Sequence, residues 1–337
     1  MRCQLNLSLR EEDGQVANQK GWILDSDAKA YFEEKEKQYE AAHQRKKDEP
    51  QKKPAFAKGA ADLHVHRKDP EGVDATETVL KGLAEADIKT FALTDSDPFA
   101  ADRLAGVLPE DVRCINGVSF ACFTDFGEIN LLGYDFDPEA PSMARAVAAG
   151  RDLRAQKLET QLSYLKFHHG IAFTEEQLEL LARLDAESKP LLAKLMVQNG
   201  VVKDADEALM GYINGINAGD SLISARMVVD AVRDAGGVVV WGHPLGTDPS
   251  KKLTDEDFSR QLQFLLSYGV TGMECYYSSY GAKDAGYLIT QAEAYRMLIS
   301  GGSDYYPGAA GNRPGKLSSE DAPVFSEKLS LLNHLEE

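Results

Sequence analysis

From Ala61 onward, short runs rich in strand formers alternate with helical stretches: ADLHV, TVLKGLAEADI, TFALTD, VRCINGV and GEINLLGYDF follow one another through residue 136. This alternation is the βαβα signature, and it restricts the chain to a parallel sheet or a β/α barrel. Residues 151–220 break the rhythm, because RDLRAQKLETQLSYLKFHH, EEQLELLARL, KPLLAKLMVQNG and ADEALMGYI all carry helical patterns. They read as a helical insertion. Strand-like runs return in GGVVVWGHP, GVTGMECYY and RMLISGGSD, each after an amphipathic helix such as ARMVVDAVRDAG, so the barrel resumes and closes. The expected division is an N-terminal extension (1–58), a first barrel part (59–150), the insertion (151–220), and a second barrel part with a C-terminal helix (221–337).

Within the extension, residues 27–49 are dense in helix formers with basic residues late, where they suit the helix dipole. Pro54 and Gly59 mark a linker, and the extension is a candidate element for contacting a protein partner. The net charge is −17, and the first 58 residues hold 12 basic and 11 acidic side chains, so the body beyond them stands at −18. Such a field disfavours non-specific binding to nucleic acid or anionic lipid. No apolar run reaches the roughly 18 residues of a membrane helix. MRCQLNLSLREEDG lacks the apolar core of a secretory signal, which gives the expectation of a cytoplasmic protein. Four scattered cysteines form no CxxC pair, against both a zinc ribbon and a disulfide scaffold.

Four segments that could carry chemistry sit where strands end: Asp62-Leu-His64-Val-His66, Thr94-Asp95-Ser96-Asp97, Trp241-Gly-His243-Pro244 and Gly301-Gly-Ser303-Asp304. In a parallel barrel such ends converge on one mouth. His64 and His66 are two apart on a strand, so both imidazoles face one side. A later carboxylate such as Asp304 would complete an N,N,O set with positions left for water and substrate. The alternative is a set of hydrogen-bonded structural histidines.

The order of these motifs resembles the PHP (polymerase and histidinol phosphatase) family of metal-dependent phosphoesterases, in its nucleotide-phosphatase-like branch. The resemblance runs over nearly everything after Ala61: DLHVH at 62 to 66, PEG at 70 to 72, TDSD at 94 to 97, GVS at 117 to 119, NLLGY at 130 to 134, KPL at 189 to 191, GHP at 242 to 244 and GGSDYY at 301 to 306. It implies an α/β fold, a distorted seven-stranded β/α (TIM-like) barrel, binding up to three metals. It implies metal ligation by His64, His66, His243 and Asp304, with Glu71 replacing an aspartate. It also shows departures, since Ser96, Asn130 and Tyr306 stand where histidines are expected and Ser119 where a bridging glutamate is expected. A reduced site follows, with one divalent ion (Mn, Fe or Zn) on His64, His66 and Asp304. His243 would be a general acid or base, or a further ligand. Ser96, Ser119, Asn130 and Tyr306 would line the pocket. Lys189 stands where the resemblance implies a phosphate-binding arginine, and Arg151 and Arg154 match basic positions at the start of the insertion. The implied activity is hydrolysis of a small phosphomonoester such as a nucleotide. A non-catalytic barrel that binds a ligand or partner is the second reading. An amidohydrolase-like deaminase shares the HxH and late Asp but not the motif order.

Overall fold

The computed structural model of the chain describes residues 58–336 except 69–73, 105, 185–187, 219–221 and 309–311, together with residues 34, 37 and 56. Of the helix and linker expected in the extension only Glu34, Lys37, Phe56, Lys58 and Gly59 are described, and Glu71 lies outside the described residues. The strands are β1 (Ala60–Val65), β2 (Ile88–Leu93), β3 (Arg113–Thr124), β4 (Gly127–Tyr134), the short β5 (Ile223–Ser224), β6 (Val238–Gly242), β7 (Gly272–Tyr277) and β8 (Leu298–Gly302). Their order in the sheet is β1-β2-β3-β4-β6-β7-β8, with β5 added on β3. The seven main strands curl into a nearly closed barrel. At the seam the Asp304 N–H donates to the His64 carbonyl at 2.7 Å and the His66 N–H to the Tyr305 carbonyl at 2.8 Å. Gly302 makes this approach possible, since a Cβ there would fall 2.1 Å from the His64 Cβ.

One strand departs from the βαβα expectation. β4 is antiparallel to both of its neighbours, β3 and β6. Its link to β3 is the tight turn Thr124–Gly127, too short for the crossover that a parallel pair requires. Thr124 ties the turn by donating its hydroxyl to the Gly127 carbonyl at 2.9 Å and accepting the Phe126 N–H at 3.2 Å. The reversal matters for the site, because it brings the start of β4, not its end, to the mouth. Asn130 pairs there with Gly242, the last residue of β6.

The helices are α1 (Thr76–Glu85), α2 (Pro141–His169), α3 (Glu175–Ala182), α4 (Lys189–Gln198), α5 (Ala205–Ala208), α6 (Ala225–Asp234), α7 (Asp255–Tyr268), α8 (Ala282–Ala294) and α9 (Ser330–Glu336). The main core lies between the sheet and α6, α7, α8 and the start of α2, around the stacked rings of Trp241 and Phe258, 5.2 Å apart. Deleting a buried ring of this kind costs about 3–5 kcal/mol. β1 is buried on both faces, yet its sequence alternates: Ala61, Leu63 and Val65 are apolar, while Asp62 and His64 between them are buried polar groups that serve the site and the seam.

α2 begins at Pro141, ten residues before the helical stretch that the sequence marks, and ends on the left-handed Gly170. Tyr134, the last residue of β4, pairs with Val238, the first of β6, so α2 starts at the end of the barrel opposite the mouth. Its Ser142 hydroxyl anchors it to the Ala231 carbonyl of α6 at 2.8 Å. Twenty-nine residues rise about 43 Å, whereas a six-residue strand spans about 20 Å, so the second half of α2 runs beyond the mouth. There Leu165 packs with residues of α3, α4 and α5 in a separate small core.

Candidate metal centre

One ligand atom from each of His64, His66 and Asp304 lies within 4.8 Å of the other two. One strand and the segments that follow two adjacent strands supply them: His64 sits in β1, His66 just past it, and Asp304 two residues beyond β8. Asp304 Oδ1 is 3.1 Å from His66 Nε2 and 3.4 Å from His64 Nε2. Its other oxygen accepts the Tyr277 hydroxyl at 2.8 Å. Asp304 and His243 both adopt positive φ, 53° and 30°, conformations that non-glycine residues seldom take and that cluster at functional sites.

The first test of fit is His64. Its Nδ1 meets the Glu274 carboxylate at 3.0 Å, and Glu274 is fully buried in β7. The bond places the ring proton on Nδ1 and leaves the Nε2 lone pair aimed inward. That Nε2 is buried and makes no hydrogen bond, although Asp304 Oδ1 is close. A lone pair facing a carboxylate oxygen requires a proton or a cation between them. Carboxylate–histidine–metal arrangements of this kind fix the tautomer and raise the basicity of a ligand. The residues present therefore fit a divalent cation.

The electrostatics agree. Burial alone would lower His66, but its hydrogen bonds to Asp304 and Asp95 push it up to about 9. Burial opposes charge on His64 as well, and the Glu274 and Asp304 carboxylates overcome it and raise its pKa. Asp304 is held well below the usual carboxylate range by the charges of His64 and His66, against the effect of burial. The cluster is thus built to hold positive charge, and a metal ion would take the place of protons.

His243 follows β6. Its own N–H donates to Glu274 Oε2 at 2.7 Å, so one carboxylate orients both His64 and the backbone of His243. The ring stacks 6.0 Å from His64. Burial lowers its pKa despite the nearby Asp304 and Glu274, favouring the neutral form. The Ser119 hydroxyl donates to Asn130 Oδ1 at 2.9 Å, and Asn130 Nδ2 lies 3.2 Å from His243 Nε2. Ser119, Asn130 and His243 form a linear chain of hydrogen bonds in which Nε2 accepts and Nδ1 carries the proton of the neutral ring. Tyr306 stacks on His66 with centroids 4.0 Å apart. Half-buried Ser96 lies between Asp95, whose Oδ1 is 3.7 Å from His66 Nδ1, and Asp97.

The remaining basic residues sit in the insertion. Arg151 and Arg154 lie on α2 and line a cavity of about 340 Å³ together with Lys157 and Ser188. Lys189 opens α4, next to Ser188, whose hydroxyl donates to Gln161 at 2.7 Å. None of the three touches the histidine cluster among the described contacts. Sequence reasoning did not single out Glu274, Tyr277 or Arg67. The available signal for Glu274 was a lone carboxylate inside the strand GMECYY. Asp62 of the DLHVH motif is not a ligand; it is buried and accepts the N–H groups of Ser303 at 2.8 Å and Gly315 at 2.7 Å, clipping β1 to the segment after β8.

No family model matches the chain. It is 26% identical over 267 residues to a phosphoribosyl 1,2-cyclic phosphate 1,2-diphosphodiesterase of Eggerthella lenta, covering 73% of this chain and 93% of that one. It is 24% identical over 269 residues to a 3',5'-nucleoside bisphosphate phosphatase of Chromobacterium violaceum, covering 78% and 92%. Among solved structures, a metal-dependent phosphoesterase of Bifidobacterium adolescentis shares the fold with a TM-score of 0.61 at 20% identity, over 80% of this chain and 94% of that one. An amidohydrolase of Chromobacterium violaceum with bound sulfate does so with the same TM-score and identity, over 82% and 96%. With the motif order, the barrel and the clustered His64, His66 and Asp304 in hand, these relatives support a phosphoesterase of the PHP type.

Proposed function

We propose that the protein hydrolyses a phosphomonoester of a small phosphorylated compound, of the nucleotide or phosphoribosyl class, at a site holding one divalent ion on His64, His66 and Asp304. The observation that carries this reading is the buried, unbonded His64 Nε2 facing Asp304. The two relatives named above act, by their names, on phosphorylated ribose derivatives. Manganese, iron and zinc all suit an N,N,O donor set. When bound, such an ion supplies a Lewis acid for a phosphoryl oxygen and acidifies a water.

The chain's own residues do the rest. Glu274 fixes His64 in its ligating tautomer, and the Tyr277 hydroxyl orients Asp304. His243, neutral in this arrangement, offers its Nδ1–H as a hydrogen-bond donor to a leaving oxygen, acts as a general acid only when protonated, and is otherwise a further ligand. Ser119 and Asn130 hold that tautomer, and their mutual hydrogen bonds argue for one ion rather than two. Tyr306 and Ser96 wall the pocket, and Glu71 remains a candidate further ligand. Arg151, Arg154 and Lys189 would supply positive charge for phosphate from the overhanging insertion, most strongly through arginine forks. Among the described residues no helix is long and apolar enough to cross a membrane. A cytoplasmic enzyme fits that, and the N-terminal extension is the segment that would contact a protein partner.

The test is turnover on nucleoside monophosphates, nucleoside bisphosphates and phosphoribosyl compounds with Mn²⁺, Fe²⁺ or Zn²⁺ added. Release of phosphate from at least one class is expected. A metal-loaded protein that turns over none of them would instead be a barrel that binds a ligand or partner without catalysis.

A further inference from the structure

The residue after the second metal-centre histidine is an arginine, and its surroundings are unusual. Arg67 is only 8% exposed, and its guanidinium is ringed by three carboxylates. One terminal nitrogen meets Asp74, the other meets Asp97 at 2.5 Å, and Nε lies 3.3 Å from Asp95 Oδ2. That Nε is buried and makes no hydrogen bond. The Arg67 backbone N–H donates to the same Asp95 oxygen at 3.2 Å. Asp97 is shared with Arg103, while the second oxygen of Asp95 faces His66 Nδ1.

Three carboxylates from two chain segments would repel one another at this spacing unless a cation stood between them. Arg67 is the cation common to all three, with Arg103 reaching Asp97 alone. Its three sides each serve a different aspartate, a division of labour that its planar, permanently charged fork allows and a lysine does not. A set of converging carboxylate oxygens is otherwise the donor set of a hard divalent ion such as Ca²⁺.

We propose that Arg67 is a built-in cation filling a carboxylate pocket of Asp74, Asp95 and Asp97 beside the metal centre, a pocket that accepts a divalent ion once the guanidinium is removed. Arg67 is then a positioning residue: by holding Asp95 it sets the carboxylate against His66, and it keeps a second ion away from the histidine cluster. The inference goes beyond the phosphoesterase reading and stands whichever substrate the protein takes.

The test is Ca²⁺ titration of the full-length chain by calorimetry, with native mass spectrometry to count ions. Arg67→Ala is expected to bind one Ca²⁺ per chain more than the unsubstituted protein. Adding Asp97→Asn should remove that extra ion, and Arg67→Lys should not gain it. Should Arg67→Ala unfold without Ca²⁺ and recover with it, the cation has been replaced as proposed. An Arg67→Ala protein that binds no more Ca²⁺ than the parent, or that stays unfolded in saturating Ca²⁺, overturns the inference.

Discussion

Replacing His64 with alanine is expected to lower divalent-ion affinity and phosphomonoester hydrolysis together, each on the order of 100-fold or more. The imidazole is fully buried, so no solvent-exposed donor can swing in to replace it. Its loss also strands Glu274, whose Oε1 would lose its buried partner while Oε2 still accepts from His243. Metal titration beside kinetics at saturating Mn²⁺ separates the two effects. An alanine variant that keeps both affinity and turnover would remove His64 from the ligand set.

Glu274→Gln should have the next largest effect, through a different route. Each carboxylate oxygen of Glu274 accepts one bond, from His64 Nδ1 at 3.0 Å and from the His243 N–H at 2.7 Å. An amide offers one acceptor and one donor, so it satisfies only one of them. If it keeps the His243 bond, its NH₂ faces Nδ1 and drives the His64 proton to Nε2, where it blocks ligation. If it keeps His64, the buried His243 N–H is left without a partner, at a cost of about 1–3 kcal/mol. Expected results are a 10- to 100-fold weaker ion affinity, the usual range for a residue that orients a ligand, and a lower denaturation midpoint. Parent-like affinity and stability in this variant would show that Glu274 orients nothing.

The strand and helix alternation, the HxH pair and the distant aspartate could all be read from the sequence because each has a local signal. Period-two spacing places His64 and His66 together, and strand ends of a barrel bring Asp304 to them. The direction of β4 had no such signal. GEINLLGYDF reads as a strand whichever way it runs, and only the short turn at Thr124–Gly127 decides. Hence Asn130, near the start of its strand, reached the site through the family resemblance rather than through strand-end logic. Glu274 and Tyr277 looked like ordinary members of a buried strand, because nothing in sequence marks which inward positions face a polar cluster. The Arg67 pocket was hidden for a related reason: its three aspartates lie up to thirty residues away, and a charge beside charges in sequence normally reads as solvated surface.

Elemental analysis of protein purified without chelators tests most directly for a cation shared by the two imidazoles and one carboxylate of His64, His66 and Asp304. About one divalent ion per chain is predicted for the parent protein, with none retained by the His64→Ala variant. A parent protein whose metal content stays near zero even after incubation with Mn²⁺, Fe²⁺ or Zn²⁺ would contradict it.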